Sequence, residues 1–149
     1  MKIPYYKQQH DYTCGPACAM MALACFGITA EEDELSGILG TNAEQGTEQK
    51  EFRKLAAHYS LAFIEKKDAS LAELSELLGK GYAVIVCHHL ASEKVSHYSV
   101  LKSVDSKSLV LLDPYIGADC KYSVSEFKML WKIVEKKGRE PCWFFAVKK

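Results

Sequence analysis

Near its N-terminus the chain reads Gln8-Gln9-His10-Asp11-Tyr12-Thr13-Cys14-Gly15-Pro16-Ala17 and continues as an apolar run to Phe26. Thr13 can cap a helix, Pro16 has the preset φ that a first turn tolerates, and Gly27 can end it. The apolar residues of this run surround the helix axis, and such a helix must be packed on nearly all sides. We therefore expect a helix that starts near Cys14 and passes through the centre of the molecule.

The position of Cys14 gives its thiol a chemical role. A helix N-terminus carries partial positive charge and unpaired N–H groups, which favour a thiolate, the reactive form of cysteine. Cys18 and Cys25 lie inside the same predicted helix and lack that advantage. Cys14 is therefore the candidate nucleophile.

A cysteine nucleophile needs a histidine to accept its proton, and His97 is the best placed of the five histidines. It opens a predicted strand that turns back through residues 104–107 into a second strand ending at Asp113. If the loop holds an odd number of residues, His97 and Asp113 lie on the same face, where the carboxylate can orient the imidazole. An even loop without a bulge would place them on opposite faces.

Acyl transfer also requires hydrogen-bond donors for the developing oxyanion, usually a backbone N–H at the nucleophile and a side-chain amide. Gln8 and Gln9 both stand just upstream of Cys14. The spacing alone does not choose between them.

A competing chemical cluster is Cys87-His88-His89, because thiol and imidazole groups can bind zinc or copper. Consecutive side chains of a strand point to opposite faces, so at most Cys87 and His89 could converge, and two further ligands would have to come from elsewhere. We expect neither a metal ion nor a cofactor.

Composition narrows the classes of function. The chain has 149 residues, of which 48% are hydrophobic, which predicts one domain over residues 1–149. Nineteen acidic residues balance nineteen basic ones without a basic cluster, which argues against nucleic-acid binding. The run from Ala17 to Phe26 is too short to span a bilayer. Six cysteines without a Cys-x-x-Cys pair, in a chain without a visible signal peptide, indicate a cytoplasmic protein with free thiols.

Periodicity divides the chain into a helical and a strand-rich half. Capping boxes are predicted at residues 29–32 and 70–73, Thr47 is predicted to cap a helix through Tyr59, and a further helix is predicted for residues 125–134. Strands are predicted for residues 82–87, 97–104, 109–112 and 143–147. This pattern predicts an α+β fold with an N-terminal helical lobe and a C-terminal antiparallel sheet lobe.

Several segments together resemble the peptidase C39 family. They are Ile3-Pro4-Tyr5-Tyr6-Lys7-Gln8, Tyr12-Thr13-Cys14-Gly15-Pro16-Ala17, Gly46-Thr47, His97-Tyr98-Ser99-Val100-Leu101 and Asp113-Pro114-Tyr115-Ile116-Gly117. The resemblance implies a papain-like fold and a cysteine peptidase acting on a peptide or protein. By position it implies Cys14 as nucleophile, His97 as general base and acid, Asp113 as orienting carboxylate, and Gln8, in preference to Gln9, as oxyanion donor.

The chain also departs from part of that family. The transporter-linked members, which cut a leader peptide after Gly-Gly, usually have an acidic residue before Cys-Gly and continue into membrane helices and an ATPase. Here Thr13 precedes Cys14 and the sequence ends at Lys149. The chain looks more like the stand-alone members, for which a Gly-Gly substrate cannot be assumed.

Other functions remain compatible with the sequence. The same four residues would support acyl transfer to an amine or thiol, as in a transpeptidase or an amidase. A second class is a non-catalytic peptide-binding module with this fold. A third, a redox or metal-sensing protein, predicts reactivity at Cys18, Cys87 or Cys120 rather than at Cys14.

Overall fold

A computed structural model of the chain describes residues 2–149, and its centre is a six-stranded antiparallel sheet. The strands are β1 (Ala62–Lys66), β2 (Ala83–Leu90), β3 (Val95–Val104), β4 (Ser108–Asp113), β5 (Gly117–Ser123) and β6 (Phe144–Lys148). The helices are α1 (Cys14–Ala24), α2 (Glu32–Leu39), α3 (Phe52–His58), α4 (Leu71–Gly79) and α5 (Val124–Lys132), and a 3-10 turn, Gln49–Glu51, leads into α3. The strand order is β1-β6-β2-β3-β4-β5. The predicted α+β fold is confirmed.

The sheet separates two apolar cores. Successive side chains of a strand point to opposite faces, so Ala83 and Ile85 of β2 enter the core formed with α1, α2 and α3. Val84 and Val86 enter the second core, with α4 and α5. Both faces of the central strands are therefore covered by helices.

Helix α1 is the most buried helix, as its sequence predicts. Eight of its eleven residues are buried, on all sides of the axis. It begins at Cys14, but the prediction that the Thr13 side chain caps it is wrong. The Thr13 hydroxyl instead bonds within the preceding turn, where it accepts from His10 N–H and donates to the His10 carbonyl, both at 3.0 Å.

Two further capping predictions are wrong and one is confirmed. Helix α2 starts at Glu32, not after Thr29, and has no side-chain cap. The Glu32 carboxylate accepts from the Gln9 backbone N–H at 3.0 Å rather than from Thr29. Thr47 lies before the 3-10 turn and its hydroxyl pairs with that of Thr41 at 2.7 Å. The box at Ser70 and Glu73 caps α4 as expected.

Strands β2, β3, β4 and β6 each extend beyond their predicted limits at one end or both, and no strand was predicted for β1 or β5. In edge strand β5 the exposed polar residues alternate with Ala118, Cys120 and Tyr122, but these three are only partly buried and give a weak apolar signal in the sequence. Helix α5 ends before the predicted Val134, because Ile133 is already extended. No helix within residues 2–149 has the length and apolar character that a membrane span requires.

Candidate active site

Cys14 is the first residue of α1 and its side chain is half-buried. The first turn of a helix leaves backbone N–H groups without partners, so the thiol lies among donors that favour negative charge. The next residue must be glycine, because a Cβ at Gly15 would lie 2.3 Å from Thr47 Oγ1. The segment before α3 thus packs directly against the start of α1.

His97 and Asp113 form a buried pair. His97 Nε2 lies 2.7 Å from Asp113 Oδ1, and the two side chains are 5% and 0% exposed. Asp113 Oδ1 also accepts from the N–H groups of Tyr115 and Ile116, at 2.8 and 3.1 Å. These bonds fix the carboxylate, which in turn fixes the imidazole.

The β3–β4 hairpin brings His97 and Asp113 together through an even-numbered loop and a bulge, not through an odd-numbered loop. Val104 pairs with Leu109, so an even number of residues, 105–108, lies between paired positions. A bulge between Leu101 and Ser103 then shifts the register by one residue. Since side chains alternate along a strand, this bulge brings His97 onto the same face as Asp113.

Charges and hydrogen bonds within the site shift the pKa values of His97 and Asp113. Burial alone would lower the pKa of His97, but the charge of Cys14, the hydrogen bond with Asp113 and a polar contact with Cys14 raise it to about 10. For Asp113, burial opposes ionisation, yet the hydrogen bond and charge of His97 and the two backbone N–H donors lower the pKa of the carboxyl. These shifts favour a protonated imidazole beside an ionised Asp113 carboxylate.

The remaining cysteines lack such an environment. Burial, as the largest cause in each case, raises the pKa of five thiols: Cys18, Cys25, Cys87, Cys120 and Cys142. A raised pKa keeps these thiols protonated and slow to react at neutral pH. All six cysteines are free.

The structure separates the two glutamines. Gln8 is buried, its backbone N–H donates to the Pro114 carbonyl at 2.9 Å, and its Nε2 donates to the His10 carbonyl at 2.8 Å. Gln8 and His97 line the same cavity. Gln9 is exposed. Of the two, Gln8 is therefore the residue that lies beside the candidate active site.

The side chains of the Cys87-His88-His89 segment contact three different polar side chains. The Cys87 thiol lies 3.3 Å from Ser96 Oγ, His89 pairs with Glu135, and His88 Nε2 lies 2.9 Å from Ser99 Oγ. Within the described part of the chain, no three side chains of His, Cys, Asp or Glu lie together in a way that could hold a metal ion.

One wall of the site comes from contacts that the sequence did not predict. The Thr47 carbonyl accepts from the Tyr98 hydroxyl at 2.6 Å and from Arg139 Nη1 at 2.5 Å, and Arg139 also bonds the Tyr98 hydroxyl. These residues come from three distant segments without a common motif, so no spacing signal could have connected them. They enclose, with Cys14 and His97, a cavity of about 440 Å³.

A family model described as the Peptidase_C39 like family matches residues 1–138. Two proteins of known sequence are also similar. An uncharacterized protein from Methanothermobacter thermautotrophicus is 31% identical over 110 residues, which cover 74% of this chain and 70% of that protein. An uncharacterized protein from Methanothermobacter marburgensis is 29% identical over 116 residues, 74% of this chain and 71% of its own length.

Solved structures share the fold at low sequence identity. A protein from Bacillus anthracis described as a C39-like peptidase has a TM-score of 0.75 at 16% identity and covers 99% of this chain and 95% of that one. The peptidase domain of Streptococcus ComA, a bi-functional ABC transporter involved in quorum sensing, has a TM-score of 0.74 at 20% identity, covering 99% and 97%. A double glycine motif protease from an AMS/PCAT transporter, in complex with its leader peptide, has a TM-score of 0.68 at 20% identity, covering 97% and 89%.

Proposed function

The chain belongs to the Peptidase_C39 like family, and from that premise we propose that it is a cysteine peptidase in which Cys14, His97, Asp113 and Gln8 hydrolyse a peptide bond. The observation that carries the proposal is the placement of His97. Its Nε2 is bonded to Asp113 at 2.7 Å, and the imidazole lies beside a thiol at the start of a buried helix. A nucleophile, a base and an orienting group in this relation are what covalent acyl transfer requires.

The first half of the reaction follows from these positions. Because Nε2 faces Asp113, the other ring nitrogen, Nδ1, serves Cys14 and takes its proton. The thiolate attacks the substrate carbonyl carbon, a C–S bond forms, and the carbonyl oxygen becomes an oxyanion. The Cys14 backbone N–H and the second N–H of the Gln8 amide stabilise that oxyanion.

The second half returns the site to its starting state. The C–N bond breaks as His97 Nδ1–H protonates the leaving amine, which leaves an acyl thioester on Cys14. Water then gives its proton to His97 and attacks the thioester. Release of the acid restores the thiolate and the imidazolium.

The proposed substrate is a peptide or protein. The cavity that contains Cys14 and His97 is also lined by the Gly46-Thr47 segment, along which the acyl side of an extended peptide would lie. Because one structural relative is a double glycine motif protease bound to a leader peptide, a Gly-Gly junction is the first sequence to test. We further propose that residues 1–149 fold as one peptidase domain, and that its six free thiols suit the cytoplasm.

Alkylation tests the proposed pair directly. Iodoacetamide at about pH 6, followed by mass spectrometry, should modify Cys14 rapidly and selectively, because the competing thiols have raised pKa values. His97→Ala should abolish the rapid phase, and Cys14→Ser should abolish cleavage of a peptide library.

The outcomes separate the alternative functions. Equal labelling of several cysteines would contradict the proposed site. Rapid Cys14 labelling without cleavage of any peptide would favour the non-catalytic peptide-binding module. Cleavage that yields a new amide or thioester when an amine or thiol is added would identify acyl transfer.

A further inference from the structure

Two cavities adjoin along Asp11, Val95 and His97, which line both. The first contains Cys14 and has been described above. The second, here called the Gln8 cavity, has a volume of about 250 Å³ and is lined, besides His97, by Gln8, Asp11, Leu90, Glu93, Val95 and Tyr115. Cys14 does not line it.

The proposed reaction assigns a side of the substrate to each cavity. The acyl group becomes bonded to Cys14, so the residues before the scissile bond belong in the cavity that contains Cys14. The leaving amine must lie against His97, which protonates it, while Gln8 holds the carbonyl oxygen. The Gln8 cavity therefore receives the residue that follows the scissile bond, an assignment that rests on the proposed function.

The Gln8 cavity combines negative charge with apolar walls. Apart from His97, its charged lining residues in the described chain are the carboxylates of Asp11 and Glu93. Glu93 Oε1 accepts from the Tyr115 hydroxyl at 3.1 Å, which holds that carboxylate at the cavity rim. Leu90 is buried, whereas Val95 and Tyr115 are 47% and 39% exposed and leave apolar surface uncovered.

Gln8 adds an independent observation on the inner wall. Its side chain is 9% exposed, and its Oε1 has no hydrogen-bond partner among the described residues. Buried carbonyl oxygens are normally paired. The unpaired oxygen leaves partial negative charge on a residue that lines the cavity, and this charge adds to that of the two carboxylates.

We propose that the Gln8 cavity selects a lysine or arginine immediately after the scissile bond. These side chains have an apolar stem and a cationic end. The stem would cover Leu90, Val95 and the Tyr115 ring, and the cation would lie between Asp11 and Glu93. An aspartate or glutamate at the same place would face two like charges, which electrostatic complementarity disfavours.

A digest of a diverse peptide library tests the selection, with cleavage sites read by mass spectrometry. Lysine and arginine should be enriched after the scissile bond, and in a matched peptide series kcat/KM should be about tenfold higher for lysine than for glutamate. Glu93→Gln and Asp11→Asn should each lower that ratio. The double charge reversal, Asp11→Lys with Glu93→Lys, should invert it.

The experiment has one control variant, and its two negative outcomes can be told apart. Asp33→Asn removes an exposed carboxylate from α2 and should leave the lysine-to-glutamate ratio unchanged. Efficient cleavage without a basic preference, or with a preference that the charge reversal does not alter, would overturn the inference and leave the peptidase proposal intact. Failure to cleave any peptide, with no selective labelling of Cys14, would overturn both.

Discussion

Gly15 occupies the point where α1 meets the segment before α3. A Cβ there would lie 2.3 Å from Thr47 Oγ1 and 2.8 Å from Thr47 Cβ, both well inside ordinary contact. Thr47 is buried and its carbonyl is held by Tyr98 and Arg139, so it has little room to move. The absence of a Cβ at Gly15 therefore allows Thr47 to pack closely against the start of α1, next to Cys14.

Gly15→Ala should destabilise the protein by about 1–3 kcal/mol through overpacking, which urea unfolding would measure. Gly37→Ala is the matched control, since a Cβ at this helical position meets nothing within 4 Å. It should leave stability unchanged or raise it by up to about 1 kcal/mol. Equal effects of the two substitutions would contradict the close approach at Gly15.

Gln8→Ala should lower kcat by about 10²–10³-fold, the usual loss when one oxyanion donor is removed. Gln9→Ala provides the neighbouring control, because the Gln9 side chain is exposed and only its backbone N–H bonds to Glu32. Steady-state cleavage of one good substrate from the library would compare the two variants. A large loss with Gln9→Ala and none with Gln8→Ala would reverse the proposed assignment.

For individual residues, the sequence predicted the position of Cys14 correctly but not the hydrogen bonds of the threonine hydroxyls. Cys14 is found at the helix start as expected, because capping and apolar periodicity are local signals. The predictions that Thr13 and Thr47 cap helices were wrong. The Thr13 hydroxyl bonds within the preceding turn, and the Thr47 hydroxyl pairs with that of Thr41. Such choices depend on tertiary neighbours that local propensity does not contain.

Among the elements, the segment between α5 and β6 has the clearest effect on the site. Arg139 lies in this segment, and its guanidinium bonds the Thr47 carbonyl and lies 5.0 Å from the centre of the Tyr98 ring. Lys136 of the same segment bonds the Gln45 carbonyl. A segment without regular secondary structure thus holds the 42–47 loop against the start of α1.

Arg139→Ala should loosen that loop. Loss of a charged hydrogen bond to Thr47, worth about 1.5 kcal/mol or more, should reduce hydrogen-exchange protection at residues 42–47 by roughly tenfold. Lys137→Ala, an exposed change in the same segment, is the control and should leave protection unaltered. Unchanged protection in both variants would show that Tyr98 alone anchors the Thr47 carbonyl.

The elements also show why the hairpin could be predicted only in outline. Strands β3 and β4 are rich in β-branched and apolar residues, so their existence was evident. The pairing of His97 with Asp113 depended on one extra residue, at Lys102, in a ladder whose turn holds an even number of residues. Bulges follow from twist and packing in the assembled sheet. Strand β5 was missed because its apolar residues, Ala118, Cys120 and Tyr122, are few and only partly buried.

In the molecule as a whole, folding shifts the pKa values of two neighbouring buried histidines in opposite directions. His88 faces His97 across the β2–β3 ladder, with the rings 5.6 Å apart and nearly perpendicular. Burial and the charge of His97 lower the pKa of His88 to about 4, whereas His97 has its pKa raised to about 10. The sheet therefore holds one neutral and one charged imidazole side by side.

This arrangement predicts how stability depends on pH. The folded pKa of His88 is below its ordinary value of 6.5, so its contribution is present above pH 6.5 and is lost as pH falls toward 4, by up to about 3 kcal/mol. The contribution of His97 has the opposite sign: it is fully present below pH 6.5 and is lost as pH rises toward 10. Urea unfolding at several pH values would measure both limbs.

His88→Gln should flatten the decline in stability between pH 6.5 and 4, because glutamine takes up no proton in this range. His58→Gln, at an exposed position of α3, is the matched control. An unchanged acid limb in His88→Gln would mean that other groups cause the decline.

The whole fold was predictable in class because helices and strands are segregated along the chain. Its long-range contacts were not, since they join the N-terminal segment to residues 113 and 114. The Tyr5 hydroxyl donates to the Asp113 carbonyl at 2.6 Å across a separation of 108 residues, and the Gln8 N–H reaches Pro114 in the same region. Spacing does not encode contacts of this range.

These long-range contacts have a consequence for the protein during its synthesis. During synthesis Cys14 leaves the ribosome long before His97, Asp113 and Pro114 are made. Until they arrive, the thiol has no imidazole beside it, and Gln8 lacks the backbone partner that holds it in place. A nascent or truncated chain that ends before Pro114 therefore lacks groups that the folded chain gathers around Cys14.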